Sequence, residues 1–460
     1  MKRNMICVSA AALFLLTCGC SEPSYDGFSA PEQSKSTLEP VSSLATGNRY
    51  EDIAPTAEPT QAEFISADGL CVIRKKESYF DVTLDLTKGD HTAAGAAYAE
   101  AILKAMPDYE AFADDYLNEL IRLSFESYDE NDTPKMIAER IDALRAALPE
   151  EYRAELDGFA SGFHGGKTGL KQDGKLSRYE ADLLHMVPDV LRNYACSTIT
   201  ADGSRTASGK RISARILEWD LGRGNKMCTA HSVLHFKNGD RSLISVSTLG
   251  TLDVVTGVND NGVMAADLDV GTSEAFTCEN KIAYSFAMRE ALEQYSTARE
   301  AGEYLTAHTP QYTYSHNVFL TDAKDAFVAE NCVAPTGKAI LRDEQTPLAN
   351  GLTWNAKGCV CAVNAYAAEV NPEGMTVSPH DITRWKKYER MFGTDEKLTV
   401  SRFKDLLTSE PVDSFTENIR SEGVVFLLIA DYDTGTLQCA FTGTEGIIDT
   451  PDFLDLGSFV

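Results

Sequence analysis

The chain has 460 residues, 43% hydrophobic and 24% charged, ordinary values for a polypeptide able to bury a large core. Its charge is not ordinary: 42 Lys and Arg against 69 Asp and Glu leave a formal net charge of −27. That balance excludes the basic surface that nucleic-acid phosphates require, and it disfavours adhesion to anionic lipid through basic residues.

Lys2 and Arg3 precede an apolar stretch, Val8 to Leu16, and then Leu16-Thr17-Cys18-Gly19-Cys20. This is the pattern of an export signal. Gly19 directly before Cys20 resembles a bacterial lipoprotein box. Residues 1–20 are therefore expected to be a lipoprotein signal peptide. Cys20 would carry the lipid and hold an exported protein at a bacterial cell-envelope membrane. No run of about 20 apolar residues, the length a spanning helix needs, occurs in the chain. Residues 21–65, rich in Ser, Pro, Glu and Thr, read as a flexible tether.

Residues 66–195 read as a helical segment. Ala93 to Met106, Tyr109 to Ser124, Pro134 to Leu148 and Tyr179 to Tyr194 carry apolar residues at helical spacing. After Cys196 the pattern changes to strands: Arg211 to Trp219, Met227 to Phe236, Arg241 to Thr248 and Val263 to Val270. Asn238-Gly239 and Asn261-Gly262 supply hairpin turns. Ile282 to His308 reads as helix with an interruption near Ser296. Asn317 to Leu320, Ala326 to Glu330 and Val360 to Val363 are strands, and Thr383 to Phe392 is a short helix. Gly423 to Ala430 and Thr436 to Thr442 close the chain as a hairpin. Strands and helices in blocks, joined by hairpins, predict an α+β fold of antiparallel sheets.

Two metal-like patterns have simpler readings. Cys228-x-x-His231-x-x-x-His235 lies on an expected hairpin strand, which would turn Cys228 away from both histidines. Asp431-Tyr432-Asp433-Thr434-Gly435 opens like a calcium loop but lacks its closing acidic residue, so it reads as a β-turn. No metal or other cofactor is expected. Cys359 and Cys361 share one strand face and read as buried small hydrophobes.

One cysteine stands at the junction of the helical and strand-rich segments, in Asn193-Tyr194-Ala195-Cys196-Ser197-Thr198-Ile199. Ser208-Gly209-Lys210, Arg215, Glu218 and Trp219 follow it, then Thr256-Gly257-Val258-Asn259-Asp260-Asn261-Gly262-Val263. Further on come Cys361-Ala362-Val363-Asn364 and Thr383-Arg384. Upstream lies Glu155-Leu156-Asp157-Gly158-Phe159-Ala160-Ser161-Gly162. In that order these segments resemble the cysteine-nucleophile N-terminal-nucleophile (Ntn) hydrolases. Those are the linear amide C–N hydrolases, including choloylglycine hydrolase, penicillin V acylase, N-acylethanolamine acid amidase and acid ceramidase. The likeness is greatest to the acyl-coenzyme A:6-aminopenicillanic acid acyltransferase branch, and it spans residues 90 to 445.

The resemblance implies a four-layer αββα Ntn-hydrolase sandwich at residues 196–460, with 66–195 as a helical pro-segment. It implies self-cleavage between Ala195 and Cys196, after which the processed chains remain associated. It also implies a catalytic set of Cys196, Arg215, Glu218 or Asp220, Asn364 and Arg384. The freed α-amine, with an ordinary pKa near 7.7–8.0, would serve as the base for the thiol, so no histidine is required. Arg215 would favour the thiolate, a carboxylate would hold the amine, and Asn364 would donate to the oxyanion. Arg384 would complete the polar network.

The sequence departs from the family in two places. Glu218 stands where the family has Asp, and Asp220 would share its strand face. Ala266-Asp267-Leu268-Asp269 stands where the bile-salt branch has an asparagine near the end of this hairpin, and an ionised Asp cannot donate to an oxyanion. A regular strand would also set Arg215 and Glu218 on opposite faces, so a bulge or strand end is expected there. The function expected is an exported, lipid-anchored amidase or acyltransferase acting on a small-molecule N-acyl amide through an acyl-cysteine thioester. The alternative is a surface lipoprotein that binds a ligand on the same fold without cutting it.

Overall fold

The computed structural model describes residues 49–50, 53–125, 128–192, 195–271, 276–371, 379–412 and 418–459. The signal segment, Cys20 and the tether up to residue 48 lie outside the described residues, as do Asn193 and Tyr194. Among the described residues, no helix is long and apolar enough to cross a membrane.

Residues 62–85, expected to belong to the tether and a helical segment, instead form three strands: β1 (Ala62–Ile65), β2 (Cys71–Lys75) and β3 (Phe80–Asp85). Their sequences alternate as strands must: in β3, Phe80, Val82 and Leu84 are buried, with half-buried Asp81, Thr83 and Asp85 between. Helices follow at His91–Ala105, Tyr109–Ser124, Asp132–Ala147 and Glu150–Ser161. The expected helix over Tyr179 to Tyr194 is broken into Arg178–Leu184 and Val187–Val190, the second opening on Pro188. Two helices cross at glycines: a Cβ on Gly95 would lie 1.9 Å from the Glu155 carbonyl oxygen, and one on Gly158 equally close to that of Thr92. Only glycine permits backbones so near one another.

The remaining strands are β4 (Ala195–Ala201), β5 (Ile212–Glu218), β6 (His231–Asn238), β7 (Arg241–Thr248), β8 (Thr256–Asn259) and β9 (Met264–Asp269). Then come β10 (His316–Thr321), β11 (Ala326–Asn331), β12 (Ala339–Arg342), β13 (Cys359–Ala362), β14 (Val424–Asp431), β15 (Thr436–Phe441) and β16 (Leu454–Ser458). Ten strands form one sheet in the order β1-β2-β3-β6-β7-β8-β9-β10-β11-β12. Six form another in the order β13-β4-β5-β14-β15-β16. Neighbours are antiparallel except β3 and β6, which pair in parallel and so join the first segment to the second.

The sheets face one another: Ser213 on β5 meets Thr321 on β10 at 3.4 Å, and Asn317 donates to the Val363 carbonyl at 3.0 Å. On the outer face of the six-stranded sheet, Ile199, Ile216 and Leu427 pack with Trp385, Tyr388 and Phe403. These come from helices Pro379–Phe392 and Val400–Leu407. The helix His91–Ala105 and helices Tyr284–Gln294 and Ala298–Ala307 cover the larger sheet. The order is helices, sheet, sheet, helices: an α+β sandwich.

Cys228 lies on a 3₁₀ turn, Arg223–Thr229, before β6 begins, and not on the strand. His231 Nε2 instead donates to the Thr442 carbonyl at 2.8 Å. Asp431 caps the turn between β14 and β15, accepting from the Asp433 amide at 3.0 Å and the Thr434 hydroxyl at 2.8 Å. No disulfide joins two cysteines of the described residues.

Candidate active site

Cys196 is the second residue of β4 and pairs with Leu217 of β5, inside the six-stranded sheet. Its side chain is fully buried. Arg215, two residues before Leu217, occupies the same face, and its Nη2 donates to Cys196 Sγ at 3.2 Å. Its Nη1 reaches across the inter-sheet space to the Asp267 carbonyl on β9. Burial pushes the thiol up to about 11, with Arg215 opposing. The sulfur is therefore held as a thiol beside a cation.

Glu218, one residue past Leu217, points to the opposite face. Its Oε1 accepts from the Ser421 amide at 3.0 Å and hydroxyl at 2.5 Å, and its Oε2 accepts from Arg384 at 3.1 Å. Arg384, on helix Pro379–Phe392, also donates to the Cys196 carbonyl at 2.9 Å and to Asn364 Oδ1 at 2.8 Å. It pairs with Asp381, one helical turn earlier. Burial lifts the Glu218 carboxyl above its ordinary range, against Arg384 and Ser421. Burial also works against the Arg384 cation, but Asp381 and Glu218 hold it firmly charged. Asn364, just past β13, accepts the Cys196 backbone N–H on Oδ1 and donates from Nδ2 to the Asp269 carbonyl at 2.8 Å.

The structure thus brings Cys196, Arg215, Glu218, Asn364 and Arg384 together. It does not bring Asp220 there. The chain leaves β5 after Glu218, so the two-residue periodicity that would align Asp220 with it does not continue. Asp220 instead accepts from the Gly222 amide at 2.7 Å, and its carbonyl accepts from Tyr116. Of the expected bulge or strand end, the structure has the strand end: β5 stops at Glu218, its pairing with β4 is regular, and the irregularity lies in β14 between Val424 and Phe426. Opposite faces suffice because Arg215 addresses the sulfur while Arg384 reaches the Cys196 carbonyl.

Two geometries differ from those the sequence suggested. Asn364, not a carboxylate, holds the Cys196 nitrogen, and the Asn364 donor is already committed to Asp269. Asp381 and Ser421 are partners that sequence reasoning missed. Asp381 lies one helical turn before Arg384, a readable spacing; Ser421 carries no local signal. None of the hydrogen bonds at Cys196 involves a histidine. His316, for instance, stacks on Tyr284 with ring centroids 4.1 Å apart.

No protein-family model and no curated protein matches the sequence. Among solved structures, an N-acylethanolamine-hydrolyzing acid amidase ortholog from Caenorhabditis elegans is similar at 14% identity and a TM-score of 0.36, over 51% of this chain and 92% of that one. A variant of conjugated bile acid hydrolase from Clostridium perfringens is similar at 12% identity and 0.34, over 54% and 89%. Penicillin V acylase from Agrobacterium tumefaciens is similar at 14% and 0.30, over 54% and 83%. At TM-scores below 0.5, the functional reading rests on side-chain geometry.

Proposed function

We propose that this protein is an N-terminal-nucleophile amidase that hydrolyses or transfers the acyl group of a linear N-acyl amide through a thioester on Cys196. The observation that supports this is the treatment of one residue's three reactive points. Arg215 sits on its sulfur, Asn364 on its backbone nitrogen and Arg384 on its carbonyl. A cysteine serving only as core filler has no use for a buried guanidinium at its sulfur, since unpaired buried charge is costly.

Activation begins with the Ala195–Cys196 bond. Sγ attacks the Ala195 carbonyl carbon, the nitrogen leaves as the Cys196 amine, and water then cleaves the thioester. Ala195 is left with a carboxylate, and Cys196 with a free thiol and α-amine. That amine takes the thiol proton in turnover, and Arg215 stabilises the thiolate. The cut pieces would stay together, because β3 pairs with β6 and the Tyr109 hydroxyl donates to the Leu249 carbonyl at 2.9 Å. A buried ion pair between Glu155 and Arg289 at 2.5 Å joins them as well. Export and a lipid anchor at Cys20 belong to the same proposal.

Complete burial of Cys196 favours the second reading, a binder on the same fold that never cuts. One experiment separates the two: intact mass and a denaturing gel on wild type and Cys196→Ala, with amine release from a panel of N-acyl amides. The amidase reading expects a cut, active wild type and an uncut, inert variant. Active wild type with no cut before Cys196 would overturn the mechanism, and wild type that is neither cut nor active would favour the binder.

A further inference from the structure

Arg192 stands three residues before Ala195 in the chain, and its backbone is held in an uncommon conformation. Its φ is +57°, two residues past the end of helix Val187–Val190. A left-handed residue commonly ends a helix, but glycine is the usual choice there because L side chains adopt that region only at a cost. Glycines aside, the other left-handed residues among the described ones are Asn225 and Asn280, a type that tolerates the region. An arginine in this place needs its side chain to compensate.

The side chain does so at the end of β9. Nε donates to both carboxylate oxygens of Asp269, at 3.1 and 3.3 Å, and Nη2 donates to the Val270 carbonyl at 2.6 Å. The guanidinium carbon lies 4.3 Å from the centroid of the Tyr314 ring, within cation–π range. The seat is firm: Asp269 pairs with His316 of β10, and the Val270 amide donates to the Ser315 carbonyl at 3.1 Å. A carboxylate, a carbonyl and a ring face together suit a planar guanidinium, and an ammonium matches them only in part.

Asp269 has a second task. Its carbonyl accepts from Asn364 Nδ2 at 2.8 Å, and Asn364 Oδ1 accepts the Cys196 backbone N–H. One residue therefore ties both flanks of the Ala195–Cys196 bond. Its carboxylate holds the upstream flank through Arg192, and its carbonyl holds the downstream flank through Asn364. Three residues of chain span at most about 11 Å, so fixing Arg192 limits how far the Ala195 carbonyl can move from Sγ.

We propose that Arg192 is a positioning residue for self-cleavage: clasped by Asp269, it keeps the Ala195 carbonyl within reach of Cys196 Sγ; this rests on the amidase reading above. In the step, Sγ bonds to the Ala195 carbonyl carbon and the C–N bond breaks. The thiol proton joins the departing nitrogen to complete the Cys196 amine, and water then hydrolyses the thioester. Arg192 gives up no proton and forms no bond. Its contribution is confined to the cut, because afterwards it belongs to the upstream piece.

The test follows cutting of the full chain on denaturing gels from the moment of synthesis in a cell-free reaction. Arg192→Gly keeps the left-handed turn without its strain and removes only the side chain. A displacement of about 1 Å costs on the order of 100-fold in rate, so this variant should cut about 100-fold more slowly. Arg192→Lys, which keeps the charge, should recover to within about tenfold of wild type. Asp269→Asn should slow cutting as well, and adding it to Arg192→Gly should slow cutting no further. In the cut protein from each Arg192 variant, iodoacetamide should alkylate Cys196 at the wild-type rate. Wild-type cutting by Arg192→Gly, equal slowing by the Gly and Lys variants, a double variant slowed by the product of its singles, or altered alkylation would each overturn this inference alone. Wild type that never cuts would instead overturn the amidase reading, and this inference with it.

Discussion

Replacing Glu218 by Gln perturbs the network on Cys196 without changing the shape of the side chain. The carboxylate accepts three hydrogen bonds, two from Ser421 and one from Arg384, at a site 1% exposed, so solvent screening gives little relief. Gln offers one acceptor oxygen. If that oxygen faces Arg384, the amide N–H₂ confronts the Ser421 amide, and a buried donor is left unpaired at about 1–3 kcal/mol. The charge-assisted bonds become neutral ones, costing about 1 kcal/mol more. Arg384 keeps Asp381, so the loss should stay near the lower end of the roughly 3–5 kcal/mol of a broken buried pair. We therefore expect about 3 kcal/mol, measured as a lowered denaturant midpoint. Arg384 also holds the Cys196 carbonyl and Asn364, and a shift of about 1 Å there costs on the order of 100-fold in rate. Asp220→Asn should cost under about 1 kcal/mol and leave turnover intact, because Asn can still accept from Gly222. An inactive Asp220→Asn beside a normal Glu218→Gln would refute the reasoning.

Gly158→Ala places a methyl 1.9 Å from the Thr92 carbonyl oxygen. Thermal unfolding should show a loss of at least about 1–3 kcal/mol, and an unchanged midpoint would mean the helices do not cross there. Asp189, which accepts from the Tyr284 amide at 2.6 Å and the Ser285 hydroxyl at 2.7 Å, is raised by burial from 3.8 to about 7. Its native state binds the proton more tightly than the unfolded chain. This contribution to stability is therefore complete below pH 3.8 and falls as pH rises to about 7. Asp189→Asn should flatten that fall, by a few kcal/mol at most, in urea titrations across the range; an unchanged profile would reject it. Finally, Cys20→Ser should release the protein from the membrane fraction, and continued retention would count against the lipid anchor.

Much of this molecule is local and can be read from the chain. The continuous apolar run of β14, the turn residues Asn238-Gly239 and Asn261-Gly262, and the break between helices near Ser296 depend on neighbouring residues alone. The order of Cys196, Arg215, Glu218, Asn364 and Arg384 along the chain also named the residues that meet. Local pattern reasoning failed where pairing is remote. The alternation in β1 to β3 is visible in retrospect, but nothing nearby requires β3 to dock in parallel on β6, some 150 residues later. The carboxylate choice depended on where β5 ends, which is decided by how β4 and β14 pair with it. The role of Asn364 depended on which end of its amide meets Cys196 and which meets Asp269. Residue type announces a polar group; only packing decides which of its atoms lie within 3 Å of a partner, and hydrogen bonding acts at that distance.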